Sequence, residues 1–183
     1  MGNGMNKIVP GLFVGSCRDA KDEQQLKENS ITHVVSLHSS AKEHYDYLKY
    51  KCLDVDDSPT EDLSKYFQDC TNFIHQARLS GGTVLVHCIA GVSRAVTITC
   101  AYLMSVTHFG WPEILEAVRC ARPQAGPNFG FQNQLMKFYQ NGVARSERER
   151  LKALYPDSKF DDDDAHLQKL LREKQAATTD PID

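Results

Sequence analysis

Residues 84–94 read VLVHCIAGVSR, and this stretch indicates both the fold of the chain and its chemistry. The apolar run at 84–86 predicts a buried strand, and the largely apolar run at 94–106 predicts a helix. Between them lies a short loop of mostly small side chains, in which Gly91 permits backbone conformations that other residues avoid. This order places the loop at the N-terminus of the predicted helix.

A small-residue loop in that position forms an anion site, because free backbone N–H groups and the helix dipole act at one point. Arg94 is expected to grip two phosphate oxygens with its planar guanidinium. Cys88 begins the loop, where a positive environment favours the thiolate form of a cysteine. We therefore predict that Cys88 attacks a phosphoryl group and forms a cysteinyl-phosphate that water hydrolyses. The remaining predicted phosphate-binding residues are Ile89, Ala90, Gly91, Val92 and Ser93.

A general acid is needed to protonate the leaving oxygen. Asp56 and Asp57 lie in a turn-rich loop after a predicted strand, and such a loop can lie over the phosphate site. The alternative interpretation of the whole motif is a buried core thiol at Cys88 and a surface charge at Arg94. The preceding His87, the glycine within the loop and the flanking strand and helix favour the catalytic interpretation.

The rest of the chain alternates predicted strands and helices. Strands are expected at 6–15 (two strands around a Pro-Gly turn), 31–37, 50–55 and 83–87. Helices are expected at 63–79, 94–106, 112–120 and 128–139. The alternation predicts an α/β fold with a central twisted mixed sheet of about five strands flanked by helices.

Composition narrows the class of protein. The 183 residues include 41% hydrophobic and 25% charged residues, which is typical of a globular protein. The net charge of -3 argues against a nucleic-acid binder. Neither a membrane-spanning apolar run nor a secretory signal is recognisable. The six cysteines contain no CxxC pair, which disfavours a zinc ribbon. Three disulfides are the alternative, but without a secretory signal we expect reduced thiols. We also expect no metal site and no cofactor.

We expect a catalytic domain at 1–145 and a charged, helical extension at 146–183. Residues 161–164 form an acidic run, which we interpret as a solvated loop capping the next helix; a partner-binding acidic patch is the alternative. The following segment, 166–177, is a helix candidate with Leu167, Leu170 and Leu171 on one side. The end, 178–183, is expected to be disordered.

These residues resemble the dual-specificity protein phosphatases, a branch of the protein-tyrosine phosphatase superfamily, and in particular its small atypical members that begin Met-Gly-Asn-Gly-Met. The resemblance rests on residues 2–15, 57–59, 87–94 and 127–131 and covers residues 1–155. It implies the protein-tyrosine-phosphatase-like fold, with Cys88 as nucleophile, Arg94 as phosphate clamp and Asp57, which directly precedes Ser58-Pro59, as general acid.

The resemblance also implies supporting roles for Asn128 and His87, with simple packing as the alternative for each. One departure concerns Ala95, where the family usually has Ser or Thr to stabilise the departing thiolate. Without that hydroxyl we expect a slow second step and accumulation of phosphocysteine. Gly126, where relatives tend to have Asn, is a second departure, and we attach no functional expectation to it.

By resemblance, the expected substrates are phosphotyrosine and phosphoserine or phosphothreonine in proteins, including components of MAP-kinase signalling in the JNK branch. The loop lacks the lysines typical of phosphoinositide phosphatases, which disfavours a lipid substrate. A phosphoprotein-binding scaffold with very low turnover is the alternative function, and only Ala95 favours it. A redox-sensing role for Cys88 is compatible with catalysis, although the sequence names no resolving cysteine.

The N-terminal sequence MGNGMN resembles a myristoylation signal with Gly2 as the acceptor, although its sixth residue is Asn instead of Ser or Thr. One myristoyl chain gives marginal membrane binding. We therefore expect a monomer in the cytoplasm that associates weakly with the inner face of the plasma membrane, with the nucleus as an alternative location.

Overall fold

The computed structural model describes residues 4–158 and 161–179. The strands are β1 (Asn6–Val9), β2 (Leu12–Gly15), β3 (His33–Leu37), β4 (Lys49–Leu53) and β5 (Val84–His87). The helices are α1 (Glu23–Glu28), α2 (Phe67–Leu79), α3 (Arg94–Val106), α4 (Trp111–Ala121), α5 (Phe129–Gln140), α6 (Val143–Leu154) and α7 (Asp161–Thr179). Two short 3-10 turns, Asp19–Lys21 and Ser64–Tyr66, precede α1 and α2.

The five strands form one mixed sheet in the order β1-β2-β5-β3-β4. Strand β1 pairs with β2 in antiparallel fashion, while the pairs β2–β5, β5–β3 and β3–β4 are parallel. The α/β fold with a five-stranded mixed sheet, predicted from the alternation of patterns, is confirmed. In parallel sheets the carboxyl ends of neighbouring strands meet at one edge, where ligands generally bind.

Burial explains why β5 and α3 form the centre of the molecule. All four residues of β5 are buried, as expected for a strand covered on both faces. Every residue of α3 except Val106 is also buried, so this helix packs between the sheet and the helices α2, α4, α5 and α6. The turn from β5 into α3 therefore joins two of the most buried elements.

The acidic run at 161–164 corrects one prediction. Instead of a solvated loop, it forms the first turn of α7, and Asp163 is only 2% exposed. Its carboxylate pairs with both terminal nitrogens of the Arg78 guanidinium, at 2.7 and 2.9 Å. Arg78 also donates to the Tyr102 hydroxyl and to the Pro10 carbonyl. The pair attaches α7 to the core, and Leu167 is fully buried there.

The N-terminal prediction at Gly2 lies outside the described residues, as does most of the segment 178–183. Thr178 itself lies within α7, so the expected disorder does not begin there. None of the helices in the described part of the chain is long and apolar enough to span a bilayer.

Candidate active site

The loop between β5 and α3 places Cys88 at the carboxyl edge of the sheet, with only 2% of the residue exposed. Gly91 has a φ of +65°, and a Cβ at that position would lie 2.4 Å from the Gly15 carbonyl oxygen. The loop can therefore close tightly against β2 only with glycine there. Within the described residues, no backbone N–H of residues 89–93 donates to another protein group, so these donors are free for an anion.

Arg94 begins α3 and is 9% exposed. One of its terminal nitrogens donates to the Val55 carbonyl oxygen at 3.0 Å, which ties it to the loop that carries Asp57. Its Nε is buried and has no hydrogen-bond partner among the described groups. A buried guanidinium donor without a protein acceptor suits an oxyanion ligand.

Asn128 joins the loop of Asp57 to the phosphate loop. Its side-chain Nδ2 donates to Asp57 Oδ1 at 2.8 Å, and its backbone N–H donates to Ser93 Oγ at 2.9 Å. Asn128 Oδ1 in turn accepts from the Phe131 N–H and caps α5. Nearby, a Cβ on Gly130 would lie 2.0 Å from the Pro59 carbonyl oxygen, so the start of α5 lies directly against the loop of Asp57.

This geometry distinguishes the two candidate acids. Both Asp56 and Asp57 are exposed, but only Asp57 has a carboxylate held by Asn128. The contact of Asp56 is through its backbone N–H, which donates to Glu61 at 3.4 Å. Orientation by a fixed neighbour is what a general acid requires, so the geometry favours Asp57.

His87 lies beneath the nucleophile and is 1% exposed. Its Nε2 is 2.6 Å from the hydroxyl of Ser36 on the neighbouring strand β3. Burial lowers the pKa of His87 to about 4, so the imidazole is neutral at physiological pH. The sequence did not single out Ser36, because its partner belongs to a strand 51 residues away.

Ala95 is fully buried directly after Arg94, and its side chain has no donor to offer the cysteine sulfur. The nearby Ser93 hydroxyl, 4% exposed, accepts the hydrogen bond from Asn128. Ser93 therefore helps to hold the two loops together.

The described cysteines are all free. Burial raises the pKa of the Cys70 and Cys100 thiols to about 12, so these residues belong to the hydrophobic core. Cys17 lies next to the phosphate loop, where its backbone N–H donates to the Ile89 carbonyl at 3.1 Å.

Arg122 is a residue near the site that sequence reasoning missed. It is 2% exposed at the end of α4, and it donates to the carbonyls of Ala90 and Gly91. An arginine in a charged helix end is usually interpreted as a surface residue. The residues around Arg122 in the sequence contain no signal that distinguishes a surface arginine from one that faces a buried partner.

A buried cysteine and an arginine around an anion-binding loop at a helix N-terminus, with an oriented aspartate nearby, define the class of cysteine-dependent phosphatases. Residues 12–141 match the family described as dual specificity phosphatase, catalytic domain, and the chain belongs to this family. It is 48% identical over 186 residues to dual specificity protein phosphatase 22 of Xenopus tropicalis, covering 98% of this chain and 88% of that protein.

Solved structures agree with this assignment. The crystal structure of DUSP15 matches with a TM-score of 0.81 and 45% identity, covering 83% of this chain and 97% of that one. The human tyrosine phosphatase-like serine/threonine/tyrosine-interacting protein matches with a TM-score of 0.72 and 28% identity, covering 76% of this chain and 98% of that one. The chain is therefore a dual-specificity protein phosphatase of the atypical type, with the fold of its family.

Proposed function

We propose that the chain removes phosphate from phosphotyrosine and phosphoserine or phosphothreonine in proteins through a cysteinyl-phosphate on Cys88. The observation that carries this mechanism is the double contact of Asn128, which holds the Asp57 carboxylate and the phosphate loop in one unit. Holding the acid and the phosphate-binding groups in fixed relative positions raises the reaction rate, because these groups need not be brought together by diffusion.

In the first step the phosphate dianion lies against the free N–H groups of the loop and the Arg94 guanidinium. The Cys88 thiolate attacks phosphorus, the bond from phosphorus to the side-chain oxygen breaks, and Asp57 gives its proton to that oxygen. The product is a free tyrosine, serine or threonine and a cysteinyl-phosphate.

In the second step water attacks the phosphorus of the intermediate. The Asp57 carboxylate accepts a proton from this water, the phosphorus–sulfur bond breaks, and inorganic phosphate leaves Cys88 as a thiolate. Ala95 supplies no hydrogen bond to that leaving sulfur, so the second step is the slower one.

Two exposed apolar residues support a preference for phosphotyrosine. Ile89 in the phosphate loop is 49% exposed, and Phe129, directly after Asn128, is 74% exposed. Large exposed apolar side chains beside a polar site often contact a ligand. A tyrosine ring gains from such contacts more than a serine side chain does, because it buries more apolar area.

The test is rapid-mix hydrolysis of a chromogenic aryl phosphate by wild type, Cys88→Ser and Asp57→Asn. We expect a burst of phenol followed by slow turnover in wild type, no turnover in Cys88→Ser and a reduced burst rate in Asp57→Asn. First-order release of phenol without a burst would contradict the proposal that the second step is the slower one. Peptides that differ only in phosphotyrosine or phosphothreonine then measure the preference, which Phe129→Ala is expected to reduce.

Ala95 favours a second candidate, a phosphoprotein-binding scaffold with very low turnover. The two functions separate in one comparison. Activity gained in Ala95→Ser supports the enzyme, whereas no turnover in either protein, with retained phosphopeptide binding, supports the scaffold.

The cellular setting is part of the same proposal. Phosphorylated components of the JNK branch of MAP-kinase signalling are the proposed substrates, and the proposed location is the cytoplasm with weak attachment to the plasma membrane through myristate on Gly2. We propose a monomer. Mass spectrometry of protein from eukaryotic cells tests the lipid, and an unmodified Gly2 would contradict it.

A further inference from the structure

The phosphate loop can present its N–H groups to an anion only if its carbonyl groups point elsewhere. Every carbonyl of residues 88–93 accepts a hydrogen bond from outside the loop or from the helix that follows. Four of the pairs are Cys88 O with His87 Nδ1 (3.3 Å), Ile89 O with the Cys17 N–H (3.1 Å), Val92 O with the Gly126 N–H (2.9 Å) and Ser93 O with the Thr97 N–H (2.9 Å).

The two middle carbonyls depend on a single side chain. Arg122 Nε donates to the Gly91 carbonyl oxygen at 2.7 Å, and its Nη2 is 3.3 Å from the Ala90 carbonyl oxygen. These are the residues at the turn of the loop, where Gly91 has its positive φ. Without Arg122, the buried Gly91 carbonyl and the part-buried Ala90 carbonyl would both lose these donors.

The other side of the guanidinium contacts the N-terminal segment. Arg122 Nη1 donates to Asn6 Oδ1 at 2.7 Å and to the Gly4 carbonyl oxygen at 3.2 Å. Gly4 and Asn6 are themselves fixed by α1 and β2, since the Met5 N–H donates to Gln25 and Asn6 pairs with Val14. One buried side chain thus joins the beginning of the described chain to the phosphate loop.

The charge of Arg122 is also unusual for its burial. Buried arginines are normally paired with a carboxylate, as Arg78 is with Asp163. Within residues 4–158 and 161–179, no carboxylate forms an ion pair with Arg122. Burial lowers the pKa of Arg122, and the charges of Asp19 and Cys88 oppose that effect. Arg122 contacts the Ala90 and Gly91 carbonyls and interacts electrostatically with Cys88, so its positive charge also attracts an anion held by the loop.

We propose that Arg122 is a positioning residue for phosphate transfer, which orients the loop N–H groups by holding the Ala90 and Gly91 carbonyls and couples the loop to the N-terminal segment. The inference rests on the proposed function and deepens it. Displacement of residues 4–6 would loosen Arg122, and the loop would lose the geometry that binds phosphate. A displacement of residues 4–6 would therefore lower the phosphatase activity through Arg122.

The test compares full-length wild type, Arg122→Met, Arg122→Lys and Asn6→Ala. A matched control is Arg148→Met, because Arg148 on α6 also donates to a backbone carbonyl, that of Met104 at 3.3 Å, at the far end of α3 from residues 88–93. Two quantities are measured: kcat and KM for an aryl phosphate, and the Kd of inorganic phosphate by calorimetry. Thermal midpoints verify that each variant is folded.

For Arg122→Met we expect kcat/KM to fall on the order of 10²-fold, as a small misplacement of reacting groups does. Phosphate binding should weaken in parallel, because the free enzyme has lost the arranged donors. Arg122→Lys should recover part of both losses, and Asn6→Ala should cause a smaller loss in the same direction. Arg148→Met should remain within about twofold of wild type, as expected for a change remote from the loop.

Wild-type phosphate affinity and kcat/KM in a folded Arg122→Met would overturn the inference. Should Arg122→Met fail to fold, unchanged phosphate affinity in both Arg122→Lys and Asn6→Ala would overturn it equally. The proposed function fails in a different way, through absence of turnover in wild type. In that case the phosphate Kd still decides the role of Arg122.

Discussion

Asn128 holds Asp57 through a hydrogen bond of 2.8 Å from Nδ2 to Oδ1, across 71 residues of sequence. The same residue caps α5 and anchors its backbone N–H on Ser93 of the phosphate loop. One residue therefore links the acid to the phosphate loop, through its side chain on one side and its backbone N–H on the other. The acid loop itself is exposed and needs such a contact to adopt one position.

Replacing Asp57 or Asn128 should affect substrates according to their leaving groups. Asp57→Asn removes the proton donor and should lower kcat/KM by about 10²–10⁴-fold for phosphotyrosine. Asn128→Ala keeps the acid but releases it, so we expect a smaller loss of about 10-fold. Both losses should shrink, without vanishing, for an aryl phosphate whose phenol is strongly acidic, since departure of that leaving group depends less on a proton. Equal losses for both substrates would contradict the acid role.

Restoring a hydroxyl after Arg94 should accelerate the second step. A hydrogen bond to a charged group contributes about 1.5–3 kcal/mol, or about 10- to 150-fold in rate. Ala95→Ser should therefore raise steady-state turnover and reduce the burst, as measured by quenched-flow with an aryl phosphate. Ala95 is fully buried, so any larger side chain also changes the packing, and this effect of size needs a control. Ala95→Thr and Ala95→Val form the isosteric pair, and only the threonine should accelerate turnover.

The fold and the nucleophile loop were predictable because their signals are local. The run of apolar residues before Cys88 and the small residues after it specify strand, loop and helix by periodicity and size alone. The contacts of Ser36, Arg122 and Asp163 were not predictable, since each depends on a partner more than 30 residues away. A polar side chain at a helix end or on a strand has the same local pattern whether it faces water or a buried partner.

The acidic run illustrates the same limit. Four consecutive aspartates predict a solvated segment by composition. Asp163 nevertheless faces the core, because one side of α7 packs against the protein and this position shares that side with Leu167. The preference of aspartate for a first helical turn would have been the better guide to the start of α7.

The buried pair of Asp163 with Arg78 predicts a large loss of stability when one partner is removed. Asp163→Asn leaves the Arg78 charge without its carboxylate, which typically costs about 3–5 kcal/mol. Urea unfolding measures the change, and limited proteolysis shows whether α7 becomes accessible first. The control is the exposed neighbour Asp162, whose replacement by Asn should change stability by less than about 0.5 kcal/mol. Equal effects at the two positions would show that the pair contributes little.

Two buried histidines predict a loss of stability in mild acid. Burial lowers the pKa of both His75 and His87 to about 4, whereas an unfolded histidine has a pKa of about 6.5. The unfolded chain therefore binds more protons between these values, so stability is complete above pH ~6.5 and falls as the pH approaches ~4. Each histidine contributes on the order of 3 kcal/mol at most across this range. Urea unfolding from pH 7 to 4.5 should show the decline, and His75→Gln and His87→Gln should each flatten it. An identical slope in wild type and both variants would mean that the two histidines bind protons as readily in the folded chain as in the unfolded chain.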